Sequence, residues 1–338
     1  MVLEPHEENI QLAIKILDEG QCIGLPTETV YGLAGNALNT QAIARIFEVK
    51  NRPVFDPLIL HIADTNAYEK LQELAVIPEK NKSIIQTLIQ AYWPGALTLI
   101  LPKRNIIPEL ATANLPTLAI RCPHHPTAQL LLNTYGKPLA APSANLFGRI
   151  SPTTAEAVDE ELGQRIPLIL NGGPCHLGIE STIIDCSGPR PILLRRGAIT
   201  EEEIMEKIGS LAPPEQTSHP VAPGMLKNHY APRTPLYLLE AEAPLTQSLP
   251  KEYAYLFWNR TNHLPQYSKT LTPNTSFREA AAHLFSSLRA LDQSPAKKIF
   301  CDPVPDENLG RAIKERLLKA SSGTAIWDNR DFVLTDRE

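Results

Sequence analysis

The sequence predicts an α/β protein in two parts, a first domain around a large mixed sheet and a second, smaller α/β domain. Three observations carry that expectation. Helical and strand-like periodicities alternate along most of the chain, the pattern of helices laid on a sheet. The chain has 338 residues, more than the roughly 100 to 200 that a single domain usually holds. A proline-rich stretch with little apolar periodicity, 212–234, separates two alternating regions. The expected organisation is a first domain over 1–211, a linker over 212–234 and a smaller domain over 235–338.

The elements follow in order. Glu8 to Asp18 sets Ile10, Ala13, Ile14 and Leu17 at helical spacing with Gly20 as a stop, and Cys22 to Leu25 reads as a short buried strand. A helix over Thr40 to Val49, a strand over Pro57 to Ile62, a helix over Ser83 to Tyr92 and a strand over Ala96 to Leu101 continue the pattern. Thr117 to Arg121 and Leu168 to Asn171 are strand-like, with PTAQLLLNTYG and TTAEAVDEELG as helical text between them. STIIDC and PILLRRG supply a strand and its return. Glu201 to Ile208 reads as a helix capped by Thr200, its early glutamates suiting the helix dipole. Beyond the linker, PLYLLE, YAYLFW, KKIFC and GTAIW alternate with the helices FREAAAHLFSSLRAL and NLGRAIKERLLKA.

A formal net charge of −5 disfavours indiscriminate nucleic-acid binding, so any RNA role has to be local or indirect. No run reaches the roughly 18 apolar residues that span a bilayer. The acidic start MVLEPHEEN has no basic region leading an apolar one, and a cytoplasmic protein without membrane contact is expected. The cysteines are five, with no C-x-x-C pair, which argues against a disulfide framework and a zinc knuckle. The histidines show no metal-ligand spacing either, so a protein-bound metal is not expected.

The usual nucleotide signatures, G-x-x-x-x-G-K-[ST] and G-x-G-x-x-G, are missing. So are a G-x-S-x-G elbow, a Ser-His-Asp order and a catalytic carboxylate pair. Chemistry is expected instead from polar segments at strand ends, which suit holding and charge neutralisation better than covalent catalysis. In LPTETVYGLAG, from Leu25, a buried strand empties into hydroxyls, as a small polar substrate would require. Lys50 and Arg52, ahead of a strand ending near His61, either face one polyanion or simply suit a helix C-terminus. Arg121 ends an apolar strand, and by itself reads as solvated; its planar fork also matches a carboxylate. Ser143, in APSAN, and Ser151 before a helix can donate to phosphate or carboxylate oxygens, although turn and cap chemistry explains part of this segment. Ser181 opens one strand, and alternation sends Arg195 and Arg196 to opposite faces, so at most one joins a given pocket.

Together PTETVYGL, the K-x-R-P segment with His61 downstream, the run from Trp93 into ALTLIL, LAIRCP, APSAN, ESTIID and RRGAI resemble, in order, the YrdC-domain family. The resemblance covers roughly the first two-thirds of the chain, and APGMLKNHYAP resembles the linker of the long, two-domain form. It implies a YrdC-like twisted mixed sheet with flanking helices and a smaller Rossmann-like C-terminal domain. It also implies threonylcarbamoyl-AMP synthesis from L-threonine, bicarbonate and ATP, with pyrophosphate released, on the way to threonylcarbamoyladenosine in tRNA. By the same resemblance Thr29, His61, Arg121, the backbone around Ala141, and Ser181 would hold threonine, with Arg121 on its carboxylate. Arg52, Asp56, Thr117, Ser143, Ser151, Arg195 and Tyr230 would contact ATP, and Lys50 would add charge beside the phosphates, making Lys50 and Arg52 the catalytic pair.

Mg²⁺ riding on the ATP is implied, as are the threonylcarbamoyl-transferase machinery and tRNA itself as partners. Tyr230 lies in the linker, which would then close over the nucleotide as a lid. One departure is Asp56, where the family usually has asparagine; a carboxylate there is repelled by triphosphate unless magnesium or Arg52 compensates. Two other readings stay open: an RNA-binding or ribosome-associated module on the same fold, and carbamoyl transfer from carbamoyl phosphate. The second lacks the acylphosphatase-like segment and paired C-x-x-C motifs it would need ahead of the domain.

Overall fold

Strands buried along their whole length need cover on both faces, and half of the strands of the large sheet are of this kind. The computed structural model describes residues 1–213, 229–242, 249–328 and 331–337. Its first sheet comprises β1 (Val2–Leu3), β2 (Ile23–Leu25), β3 (Gly32–Asn36), β4 (Ile59–His61), β5 (Leu97–Pro102), β6 (Thr117–Arg121), β7 (Leu139–Ala140), β8 (Leu168–Leu170), β9 (Thr182–Asp185) and β10 (Ile192–Arg195). The order is β1-β8-β2-β3-β7-β4-β6-β5-β9-β10. Pairing is mixed, since β4 runs parallel to β6, and β5 antiparallel to β6 but parallel to β9. With it go helices α1 (Glu7–Asp18), α2 (Thr40–Lys50), α3 (Ala67–Leu74), α4 (Lys82–Tyr92), α5 (Pro126–Tyr135), α6 (Ala155–Leu162) and α7 (Glu201–Ile208). The large mixed sheet with flanking helices is as expected.

Alternation sorts the central strands into a core face and a second face. Leu60, Leu97, Leu99, Leu101, Leu118, Ile120 and Ile184 enter the main core with Ile43 and Ile46 of α2 and Ile85 and Leu88 of α4. Burying each such side chain contributes about 1.5–3 kcal/mol. A one-residue slip would exchange the two faces, so this core fixes the register. The intervening residues Ile59, Ala119, Ile100 and Ile183 form only a small separate cluster on the opposite face. On that face the rows end in polar groups, because His61 pairs in register with Arg121 and Arg121 with Thr98.

Helix ends are set by local chemistry. The Asn39 side chain accepts from two backbone amides of α2, and Thr200 and Glu203 form a reciprocal capping box on α7, as the Thr200 cap predicts.

The second sheet comprises β11 (Leu236–Leu239), β12 (Ala254–Phe257), β13 (Ser268–Thr270), β14 (Ile299–Cys301), β15 (Gly323–Trp327) and β16 (Phe332–Asp336), ordered β13-β12-β14-β11-β15-β16. Five strands are parallel and β16 is antiparallel at the edge. Helices α8 (Phe277–Asp292) and α9 (Leu309–Ala320) complete this smaller Rossmann-like α/β unit.

The chain divides into two units. The first holds Met1–Phe147, Ser151–His176 and the described residues from 180 to 213; the second holds Gly148–Ile150, Leu177–Ile179 and the described residues from 229 on. Two short runs ahead of the expected boundary at 211 thus belong to the second unit. The expected linker and lid, 212–234, falls largely on 214–228, outside the described residues. Among the described residues no helix is long and apolar enough to cross a membrane.

Candidate active site

The PTETVYG segment between β2 and β3 is a turn made by its own hydroxyls. Thr27 Oγ donates to the Val30 carbonyl at 2.6 Å and accepts from the amides of Thr29 and Val30 at 3.2 and 3.3 Å. Tyr31 then locks the segment: its phenol donates to the Gly173 carbonyl at 2.8 Å and its amide to the Pro152 carbonyl at 2.9 Å. Next to it, the Leu33 amide donates to the Pro142 carbonyl and the Ala144 amide to the Tyr31 carbonyl, both at 2.8 Å. Two distant stretches of sequence, PTETVYGL and APSAN, are zipped together in this way.

Arg121, at the end of β6 and 4% exposed, gathers the residues expected at threonine. Its Nη1 donates to Thr29 Oγ at 2.9 Å and its Nε to the Gly95 carbonyl at 3.1 Å. Its Nη2 lies 2.5 Å from Glu28 Oε1, a charge contact that lacks hydrogen-bond alignment. Burial raises the Glu28 pKa, but the Arg121 charge and the His124 amide outweigh it and hold the carboxyl below its ordinary value. His61 is beside Arg121 in register, with Nδ1 3.2 Å from the Ile59 carbonyl. Burial first, and the Arg121 charge second, push its pKa down to about 3, so the ring is neutral.

Ser181 joins the same face through Thr98, the two hydroxyls being 2.7 Å apart. Gly197 passes so close to this point that a Cβ there would lie 2.3 Å from backbone atoms of Ser181 and Thr182, which is why the RRG turn needs glycine. At Ala141 the amide is committed to the Ile59 carbonyl at 3.0 Å, leaving the carbonyl as this residue's polar contribution.

The neutral state of His61 has a measurable consequence. The ring must charge on unfolding, so its contribution to stability is complete above the ordinary value of 6.5 and is lost as pH falls from there toward about 3. Going from about pH 7 to about pH 5 is expected to lower the denaturant midpoint of the wild type more than that of His61→Asn. Equal losses would show that His61 is not the group responsible.

Of the residues expected at ATP, Arg52 and Asp56 form a second cluster. Arg52 Nη2 lies 2.8 Å from Asp56 Oδ2 and 3.0 Å from the Pro57 carbonyl, and Nε donates to the Asp56 carbonyl at 3.2 Å. Burial lifts the Asp56 pKa, while the charges of Arg52, Lys50 and Arg195 hold the rise in check. Arg52 thus supplies part of the compensation that a carboxylate requires here, while burial still leaves the Asp56 pKa above its ordinary value. Lys50 differs from the expectation of a side chain turned to phosphate. It is 1% exposed, and its Nζ donates to the carbonyls of Ser143 and Asn145 at 2.6 and 2.5 Å. The reason is position: Lys50 closes α2 against the APSAN loop, where two backbone carbonyls accept from it. Burial and the Arg52 charge both lower its pKa.

Arg195 donates from Nε to the Ser181 carbonyl at 3.0 Å and from Nη2 to Ser181 Oγ at 3.1 Å, and its charge also acts on Asp56 of the second cluster. Arg196 pairs with Glu201 at the surface, as alternation predicts. Ser151 donates to Glu180 Oε1 at 2.8 Å. Thr117 is on the Arg121 face at the other end of β6, four residues and so roughly 13 Å from it, with the Ile59, Ala119 and Ile100 patch between. Tyr230 belongs to the second unit, where it is buried and stacks on Phe285 with centroids 5.4 Å apart. Glu28, Thr98 and Glu180 were not singled out by the sequence. Thr98 had a signal, a lone hydroxyl inside the apolar run ALTLIL, and Glu28 had another, a charge between two threonines in a buried turn.

The Sua5–YciO–YrdC family model, described as telomere recombination, matches residues 15–197. The chain belongs to this family. A model described as threonylcarbamoyl-AMP synthase, C-terminal domain, matches residues 199–322, which gives the two-domain form of the Sua5–YciO–YrdC family. Threonylcarbamoyl-AMP synthase of Bacillus subtilis is 41% identical over 339 residues, covering 96% of each chain. That of Pyrococcus abyssi is 36% identical, covering 93% of this chain and 94% of its own. The crystal structure of P. abyssi Sua5 complexed with L-threonine superposes with a TM-score of 0.85 at 35% identity, covering 95% of this chain and 96% of that one.

Proposed function

We propose that the protein condenses L-threonine, bicarbonate and ATP to threonylcarbamoyl-AMP and pyrophosphate, with Arg121 receiving the amino-acid carboxylate. One observation carries this reading: a buried arginine with hydroxyl neighbours is paired in register with Thr98, which leads through Ser181 to Arg195, and the Arg195 charge acts on Asp56 of the Arg52–Asp56 pair. The likeness to a relative crystallised with L-threonine supports the amino-acid end.

The threonine amine and bicarbonate give the carbamate with loss of water. A carbamate oxygen then bonds to the α-phosphorus as the bond to pyrophosphate breaks. Both reactants are anions, so the site's task is to hold them together and offset their repulsion. Thr29, His61, Ser181 and the backbone around Ala141 would orient threonine. Arg52, Ser143, Ser151, Thr117 and Arg195 would take the nucleotide, whose base suits the apolar patch around Ala119.

Mg²⁺ fits as part of the nucleotide substrate, since the carboxylates of Asp56 and Glu180 are already engaged with Arg52 and Ser151. The product would pass to threonylcarbamoyl-transferase machinery acting on tRNA. Pyrophosphate release tests the reading: it is expected to require threonine, bicarbonate and ATP together. Release that persists when either threonine or bicarbonate is omitted would reject it.

A further inference from the structure

Arg121 has five N–H donors in a fixed fork. Nε and Nη1 are directed to the Gly95 carbonyl and Thr29. Nη2 touches Glu28 yet has no hydrogen-bond partner among the described residues, although it is buried. Glu28 therefore supplies a counter-charge while engaging at most one of the two N–H groups of that nitrogen. Its own place is rigid, because the turn that carries it is closed by Thr27 and pinned by Tyr31. A buried guanidinium without a counter-charge is costly, while one whose donors are all satisfied cannot receive a ligand. The geometry reconciles the two demands.

We propose that Glu28 is a positioning residue for Arg121: it fixes the guanidinium in charge contact and leaves Nη2 to hydrogen-bond an amino-acid carboxylate. The inference rests on the assignment of Arg121 to the amino acid made above. A second consequence follows from charge. Paired with Glu28, Arg121 adds no net charge to the pocket, so an overall neutral zwitterion is favoured over a simple carboxylate anion. Without Glu28 the pocket becomes cationic and that preference narrows.

The test is Glu28→Gln in the full chain, with steady-state kinetics and inhibition by 3-hydroxybutyrate, which is threonine's carbon chain without the amino group. The expected result is a KM for threonine raised about tenfold or more, a KM for ATP within about twofold of wild type and kcat largely kept. 3-Hydroxybutyrate is expected to compete better against threonine than it does in the wild type. Glu28→Asp keeps the charge and shortens the reach, so it should give the same split at smaller size; it also serves if Glu28→Gln does not fold. Equal rises in both KM values, or a fall in kcat with the threonine KM unchanged, would overturn the proposal. Failure of the wild type itself to show threonine-dependent turnover would instead overturn the reading beneath it.

Discussion

Arg121→Ala is expected to abolish threonine-dependent turnover and to lower folding stability by about 3–5 kcal/mol, the usual size when one partner of a buried ion pair is removed. The stability loss comes from Glu28, left buried and 1% exposed with its main counter-charge gone. The turnover loss comes from the missing carboxylate partner. The two effects separate in the double variant Arg121→Ala/Glu28→Gln, which should regain most of the stability and none of the turnover. Denaturant midpoints and pyrophosphate release, measured on both variants, decide it. A double variant no more stable than Arg121→Ala would mean that the ion pair does not govern this part of the fold.

Lys50→Met carries the second large effect. Methionine keeps much of the length and loses the charge, so the carbonyls of Ser143 and Asn145 lose the donor that holds them. Each buried polar group left unpaired costs about 1–3 kcal/mol. The loop also carries Ser143, and its amide at Ala144 is tied to Tyr31. Its displacement is expected to raise the KM for ATP and reduce kcat by about a hundredfold, since misplaced reactants lose most of the orienting effect. A variant with full turnover and an unchanged thermal midpoint would show that Lys50 is not what fixes the loop.

The fold was largely legible because apolar periodicity was strong where the core is. Thr117–Arg121 and Glu201–Ile208 have the bounds that the residues predict. β3 escaped because GLAGN contains neither a β-branched nor an aromatic residue, yet all five of its residues are buried. α3 escaped because AYEKLQEL is short and largely polar, burying only Leu71 and Leu74. β16 escaped because Phe332 alone of its residues is buried, as suits an edge strand.

At the site, position along a strand was legible and partnership was not. Alternation correctly separates Arg195, buried against Ser181, from Arg196, exposed beside Glu201. The contact of Arg121 with Glu28 joins residues far apart in sequence and exists only once β6 and the β2–β3 turn are in place. The pairing of Asp56 with Arg52 was foreseeable as one of two options beside magnesium, since the two residues are four apart in sequence and the need for a counter-charge was plain. The inward direction of Lys50 was not, because nothing in K-x-R reveals that two carbonyls of a distant loop will lie beside it.

Equilibrium dialysis of labelled L-threonine against the wild type and Arg121→Ala, both verified as folded, bears most directly on the amino-acid pocket. One threonine per chain should bind to the wild type, and none to the variant at the same concentrations. Equal occupancy of the two proteins would mean that the amino acid is held elsewhere.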